Sequence, residues 1–243
     1  LGLTALDLDA LATVSGRLSI ATTALTALEL PALTSVGITL GVATASRRDD
    51  PQTPEDESGT PSALTALRLP ALQTVGFELS ISELPALTEV ALPALSVAGG
   101  LAVVRATALP ALSLPALTRL EKAYRIEGSG SWSTTYVSTG HLQLTDLASL
   151  TSFDAPLLGS AAGGLTVTAA EALTVLRLPA LASAGGAGVS IWRSPALATV
   201  SLPSLVTANE LYLIVLASLA AVDLPALTTV YDRAWITDAA ALQ

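Results

Sequence analysis

The chain has no cysteine and no methionine, and it carries one histidine (His141), one lysine (Lys122) and one asparagine (Asn209) among 243 residues. Without cysteine there is no disulfide framework and no thiolate metal site. A single histidine leaves too few ligands for zinc. Any Ser-His-Asp relay would have to use His141, with Asp146 or Asp154 as its orienter, and no G-x-S-x-G elbow accompanies it. Charge is scarce at 13% of residues, and it sums to −9. An acidic surface gives no purchase on phosphate, so nucleic acid is excluded as a partner, and it has no attraction for anionic lipid. Long apolar runs are missing too. The uncharged stretch from Ala155 to Ala170 is too short to cross a bilayer and contains Pro156 and three glycines. No membrane insertion and no cofactor are expected.

What the chain does have is a repeat. LTALRLPALQTV at Leu64 recurs as LTALELPALTSV at Leu25, LTEVALPALSVA at Leu87, LTVLRLPALASA at Leu173, LATVSLPSLVTA at Leu197 and LAAVDLPALTTV at Leu219. Looser copies start at Leu3, Leu109 and Leu150, and uninterrupted copies begin 22 to 24 residues apart. A fixed period of this length marks a solenoid, in which each unit stacks on its neighbours. Half the residues are hydrophobic, which suits a continuous core.

Each unit contains two short alternating runs. In the first, Leu28 and Leu30, or Leu67 and Leu69, stand two apart; in the second, Leu79 and Ile81, or Leu165 and Val167. That spacing puts both aliphatics on one face of a strand and turns the residue between them outward. The expected outward column of the first run is Asp7, Glu29, Arg68, Ala91, Ser113, Asp154, Arg177, Ser201 and Asp223. That of the second is Ser19, Thr39, Ser80, Ala102, Arg125, Thr166, Ser190, Tyr212 and Trp235. Glu29 should neighbour Arg68 on the next rung, and Asp154 should neighbour Arg177. Pro31, Pro70, Pro93, Pro179, Pro203 and Pro225 fill one slot between the runs. Proline there forbids a continuous helix and suits the end of a strand. The following Leu and Val supply a third inward edge.

One coil alone is unstable. About six inward aliphatics contribute roughly 10 kcal/mol gross, and ordering the coil costs several times that at about 1.5 kcal/mol per residue. Stacking supplies the difference. Nine coils at about 4.8 Å make a rod roughly 43 Å long.

The string LxLPALTxVGxxLxI resembles the receptor L-domain repeat and, more loosely, the bacterial surface leucine-rich repeats of the BspA type. The resemblance covers nearly the whole chain outside two insertions. It implies an all-β fold, a right-handed parallel β-helix (β-solenoid) of about nine 22–24-residue coils, on an extracellular or cell-surface protein that binds ligands or partners. Two departures matter. The family often places asparagine at coil corners, and here Ser, Thr, Ala, Glu and Gly stand there instead. Leu33, Leu72 and Leu181 occupy the position where a leucine-rich repeat has Asn or Cys, which argues against a horseshoe backed by helices.

Residues 1–243 read as a single solenoid domain with insertions at 43–62 and 129–140. The first insertion is polar and rich in proline. Its Asp49, Asp50, Glu55, Asp56 and Glu57 match no calcium-loop spacing. The second, SGSWSTTYVSTG, carries Trp132 and Tyr136, an aromatic pair suited to stacking on a sugar or anchoring a partner, or to folding back on the flank. Aromatics also gather late in the chain. Tyr212 and Trp235 should face outward on consecutive rungs, with Trp192 one position along; rings so placed either stack on one another or form a contact patch for a glycan or protein. A polysaccharide-cleaving β-helix needs clustered carboxylates in a groove, and no inward acidic pair exists. An ice-binding face needs a regular T-x-T array, which is missing.

The chain starts inside a repeat, without a leader, and ends where another repeat would begin. The expectation is a non-enzymatic, secreted or surface-held solenoid with a structural or adhesive role, its leader removed or the chain a segment of a longer one. It should self-associate head to tail through its open ends. The alternative is an L-domain-like module that binds a glycan or protein through Trp132, Tyr136, Trp192, Tyr212 and Trp235.

Overall fold

The computed structural model describes residues 3–44, 61–127 and 134–237, with only the backbone described for 122–127 and 134–139. The described chain is all-β. It winds through three parallel sheets that form the faces of a β-solenoid. The first face holds nine strands of two residues each, such as Thr74–Val75; the second holds nine of four to six residues, such as Glu78–Ser82; the third holds eight of three residues, such as Ala66–Arg68. Eight coils carry all three strands. They follow an incomplete one, in which the segment around Asp7 is not a strand.

Alternation sets which residues face in. On the third face Leu28, Leu67, Val90 and Leu112 are buried, and Glu29 pairs in register with Arg68, Arg68 with Ala91, and Asp154 with Arg177. The second face differs from its expected column at two positions. Gly41, not Thr39, stands beside Ser80, because Leu40 and Val42 pair with Leu79 and Ile81. Ile38, Leu40 and Val42 alternate without a break, so two frames fit the pattern, and the neighbouring strand decides between them.

The second difference is larger. Arg125 is not on a rung, and Gln143 stands between Ala102 and Thr166. Residues Lys122–Glu127 instead leave the coil and pair antiparallel with Thr134–Thr139. The excursion therefore begins before 129, and much of it is a two-stranded hairpin. Using Lys122–Glu127 as the rung would have turned Tyr124 and Ile126 inward. A phenol hydroxyl without a partner in an aliphatic interior is costly. His141–Thr145 offers Leu142 and Leu144 instead, and both are fully buried.

Corners are built from local chemistry. The L-P-x-L phrase that follows a third-face strand closes a β-turn, as when Leu72 N–H donates to Leu69 C=O at 3.2 Å and Leu205 N–H to Leu202 C=O at 3.1 Å. Proline sits at the second turn position, where its fixed φ is already correct. At the next corner several coils, though not all, hold a glycine where the backbones approach closely. A Cβ on Gly76 would lie 2.1 Å from the carbonyl oxygen of Gly37 on the coil before. The last corner places one residue in the left-handed region in each of six consecutive coils: Glu83, Arg105, Asp146, Ala169, Arg193 and Val215, with φ between 51° and 57°. None is glycine, so each stores about 1–2 kcal/mol of steric strain.

Hydroxyls take over the role that an asparagine ladder would have. Thr65 Oγ1 donates to Thr26 C=O at 2.9 Å, Thr88 Oγ1 to Thr65 C=O at 3.1 Å, and Thr118 Oγ1 to Ser96 C=O at 3.0 Å, each reaching one coil back. Asn209 makes the same kind of bond to Gly186 C=O at 2.7 Å.

Two substitutions test this account by urea unfolding. Gly76→Ala, which drives a methyl into a backbone oxygen, should destabilise by about 2–3 kcal/mol. Val215→Gly, which removes a β-branched side chain from the left-handed region, should stabilise by about 1 kcal/mol.

Candidate functional site

The second face changes character along its length. Its outward column runs Ser19, Gly41, Ser80, Ala102, Gln143, Thr166 and Ser190 before reaching Tyr212 and Trp235. Small side chains predominate along most of the column, with Gln143 the exception, and aromatic bulk stands at its C-terminal end. Tyr212 pairs in register with Trp235. Trp192 pairs with Ile214, which puts it at the next outward-facing site, two residues along the strand. The three rings touch in sequence. Trp192 meets Tyr212 edge to face, with centroids 6.4 Å apart and planes at 75°, and Tyr212 meets Trp235 at 6.4 Å and 57°. Each contact is worth about 0.5–1.5 kcal/mol beyond area burial. Tyr212 is half-buried between its neighbours, whereas Trp192 is 42% exposed and Trp235 is 53% exposed.

The tilt of the rings limits what the ladder can hold. A broad flat ligand needs coplanar faces, and adjacent rings here turn their edges to one another. Each outer tryptophan still offers exposed surface of its own. Two further residues were expected with this group. Tyr136 falls in the hairpin strand Thr134–Thr139, opposite Arg125, and Trp132 lies outside the described residues. The acidic residues considered for calcium, Asp49, Asp50, Glu55, Asp56 and Glu57, also lie outside them. Among the described residues no group of three or more His, Asp or Glu could hold a metal. Nor, among the described residues, is any helix long and apolar enough to cross a membrane.

His141 sits on the second face, half-buried, with Nε2 2.8 Å from Thr166 Oγ1. Asp146, considered as its orienter, instead faces Arg105 at 3.6 Å, and Arg105 also pairs with Glu83 on the preceding coil. Asp154 is on the third face, beside Arg177. There a shallow depression of about 420 Å³ is lined by residues including Phe153, Asp154, Val175 and Arg177. The repeat gave no sign of it beyond Phe153, which stands where most coils have leucine or valine.

On the same face Arg68 grips Glu89 with two hydrogen bonds, Nε–Oε1 at 2.7 Å and Nη2–Oε2 at 2.5 Å. Its register neighbour is Ala91, whose methyl leaves the guanidinium room to lean across to Glu89. That hydrogen bond holds the Glu89 carboxyl below its usual range, and the attraction of the guanidinium charge adds to it.

Compared with known proteins, the chain matches no family model, no curated protein and no solved structure.

Burial makes two groups titrate abnormally, with opposite signs. It pushes the Glu78 carboxyl up and the His141 imidazole down. A raised carboxyl favours the fold at acid pH, and this contribution is lost as pH rises through its folded value. A lowered imidazole favours the fold above its ordinary value of about 6.5, and this contribution is lost as pH falls through the folded value. Melting temperature should therefore drop between about pH 6.5 and 5 by more in the native chain than in His141→Gln. Parallel pH curves for the two proteins would show that the burial of His141 has no energetic consequence.

Proposed function

We propose that the protein is a non-enzymatic structural or adhesive solenoid that works outside the cell or at its surface, its end coils covered either by further copies of itself or by neighbouring coils of a longer repeat protein. The observation that supports this is the state of the two terminal coils. Inward aliphatics of interior coils, such as Leu69, Leu72 and Leu176, are fully buried. Their counterparts Leu6, Leu8, Leu11, Val14 and Leu18 at one end, and Val222, Leu224, Leu227 and Val230 at the other, are only partly covered by the described residues. The strands flanking them are the outermost in each sheet, so their ladder groups lack a strand partner on one side among the described residues. Exposed ladder groups over an aliphatic end face are a template for a further coil.

Magnitudes point to a reversible joint. Nine partly exposed aliphatics regain about 1 kcal/mol each when covered. That sum is comparable to the cost of association, about 4–15 kcal/mol. Assembly should therefore depend on concentration rather than be permanent.

The exposed ladder Trp192–Tyr212–Trp235 favours a second reading, an L-domain-like module that binds a glycan or a protein. The receptor L-domain and BspA-type resemblance is compatible with both readings, since both place the chain at a surface.

Sedimentation velocity over a wide concentration range separates the two. The structural reading expects a series of elongated species that Leu224→Asp reduces to monomer. The binding reading expects a monomer at every concentration, with glycan-array signal lost in Trp192→Ala, Trp235→Ala or Trp132→Ala.

A further inference from the structure

We propose that the second face binds an anionic sugar, a pyranose carrying a carboxylate or a sulfate, beside Trp192, with Arg193 taking the charge. This rests on the glycan-binding reading above and names its subsite and its ligand.

Trp192 belongs to the side wall of the solenoid. Its coil is stacked on both sides, since it pairs with Thr168 on the coil before and with Ile214 on the coil after. Its ring contact lies toward the following coil, where Tyr212 meets it edge to face. Toward the preceding coil its register partner is Thr168, too small to cover an indole, and the column runs back from there to Thr145. The ring therefore stands exposed beside a shelf of hydroxyls. Gln143 extends the shelf, donating from Nε2 to Thr145 Oγ1 at 3.3 Å. A pyranose presents C–H groups on its flat side and hydroxyls around its rim. The flat side suits an indole face, which carries the negative part of the ring's quadrupole. The rim suits the shelf.

The charge is a second observation, independent of the ring. Along the left-handed corner the column runs Glu83, Arg105, Asp146, Ala169, Arg193 and Val215. Arg105 stands between two acids and pairs with both. Arg193 stands between Ala169 and Val215, neither of which can take its charge. Among the described residues it is exposed and makes no ion pair. It follows Trp192 directly in the chain, so an exposed cation and an exposed indole share one corner. Hydrogen bonds hold that corner in place. Arg193 N–H donates to Ile214 C=O at 3.2 Å, and the buried Ser194 donates from Oγ to Trp192 C=O at 3.3 Å. A guanidinium presents a planar fork of donors that matches the oxygens of a carboxylate or sulfate.

Net charge opposes such a ligand. At −9 the molecule as a whole repels anions. At physiological salt, however, charges are screened beyond about 8 Å, so acids close to Arg193 decide. Along its column the nearest is Asp146, two coils back at about 4.8 Å per coil, and Arg105 already faces it. The other is Glu171 on the preceding coil, two positions past Ala169; it is exposed to water and makes no ion pair with Arg193. Arg177, on the third face, has Asp154 as its register neighbour, which offsets its charge locally. Arg193 has no acid as a register neighbour.

The test is titration calorimetry of the whole chain with three oligosaccharides of equal length: one of uronic acids, its carboxyl-reduced neutral form, and a sulfated form of that neutral chain. At least one anionic chain should bind about tenfold more tightly than the neutral one. Arg193→Gln, at an exposed position, should erase that preference, and Arg177→Gln should keep it. Whichever anionic chain loses its advantage in Arg193→Gln identifies the anion. Trp192→Ala should abolish binding of all three chains, and Trp192→Phe, which keeps a ring against Tyr212, should restore part of it. Equal affinity for charged and neutral chains, or equal losses in Arg193→Gln and Arg177→Gln, would overturn this subsite and leave glycan binding standing. Failure of all three chains to bind would also overturn it, while a different glycan held on an array would still uphold the wider reading.

Discussion

Every coil is fastened to the next by backbone hydrogen bonds that run along the solenoid. Leu69 N–H donates to Ala91 C=O at 3.0 Å, Leu114 to Asp154 at 2.8 Å and Leu178 to Ser201 at 3.1 Å, each bond reaching from one coil to the following one. These bonds fix the rise per coil, and the rise fixes everything else. It sets how close the corners come, which is why Gly76 has no room for a methyl. It sets the spacing at which a threonine hydroxyl can reach the carbonyl one coil back. It also brings Tyr212 and Trp235 within ring contact although they are far apart in sequence.

The aliphatic interior answers to the same constraint. Leucine and valine recur at each inward site because each coil must offer the next a matching surface. The buried residues accordingly form one continuous cluster from Ile20 to Leu219. Polar side chains are kept to the outer faces and corners. Among the described residues no buried side-chain nitrogen or oxygen lacks a hydrogen-bond partner. The cost of this economy is borne at the corner where Glu83, Arg105, Asp146, Ala169, Arg193 and Val215 adopt positive φ.

Much of this was legible from spacing alone. Two aliphatics two residues apart, repeated every 22 to 24 residues, define strands and their inward faces, and Glu29, Arg68, Asp154 and Arg177 fall in the expected column. Spacing fails where two frames are equally good, as at Thr39 and Gly41, or where a spare alternating segment competes for a rung, as Lys122–Glu127 does with His141–Thr145. It is silent on the left-handed corner, since Glu, Arg, Asp, Ala and Val share no signature for that conformation. It is silent, too, on which carboxylate Arg68 grips. Ion pairing depends on which neighbour is small, and Ala91 opens the path to Glu89. The aromatic ladder was visible as a cluster, but the tilt of its rings was not, and that tilt decides which ligands it suits.

Because contacts run only between adjacent coils, tension applied to the two termini is carried by the coils in series. The outermost coil has a neighbour on one side only and gives way first, and its loss exposes the next. Release of an uninterrupted coil frees 22 to 24 residues of chain, about 70–85 Å when extended, and the two coils that carry insertions free more. A protein built this way yields to a pull in discrete steps, lengthening many-fold before its last coil opens. It would behave as a molecular shock absorber wherever its two ends are anchored to different bodies.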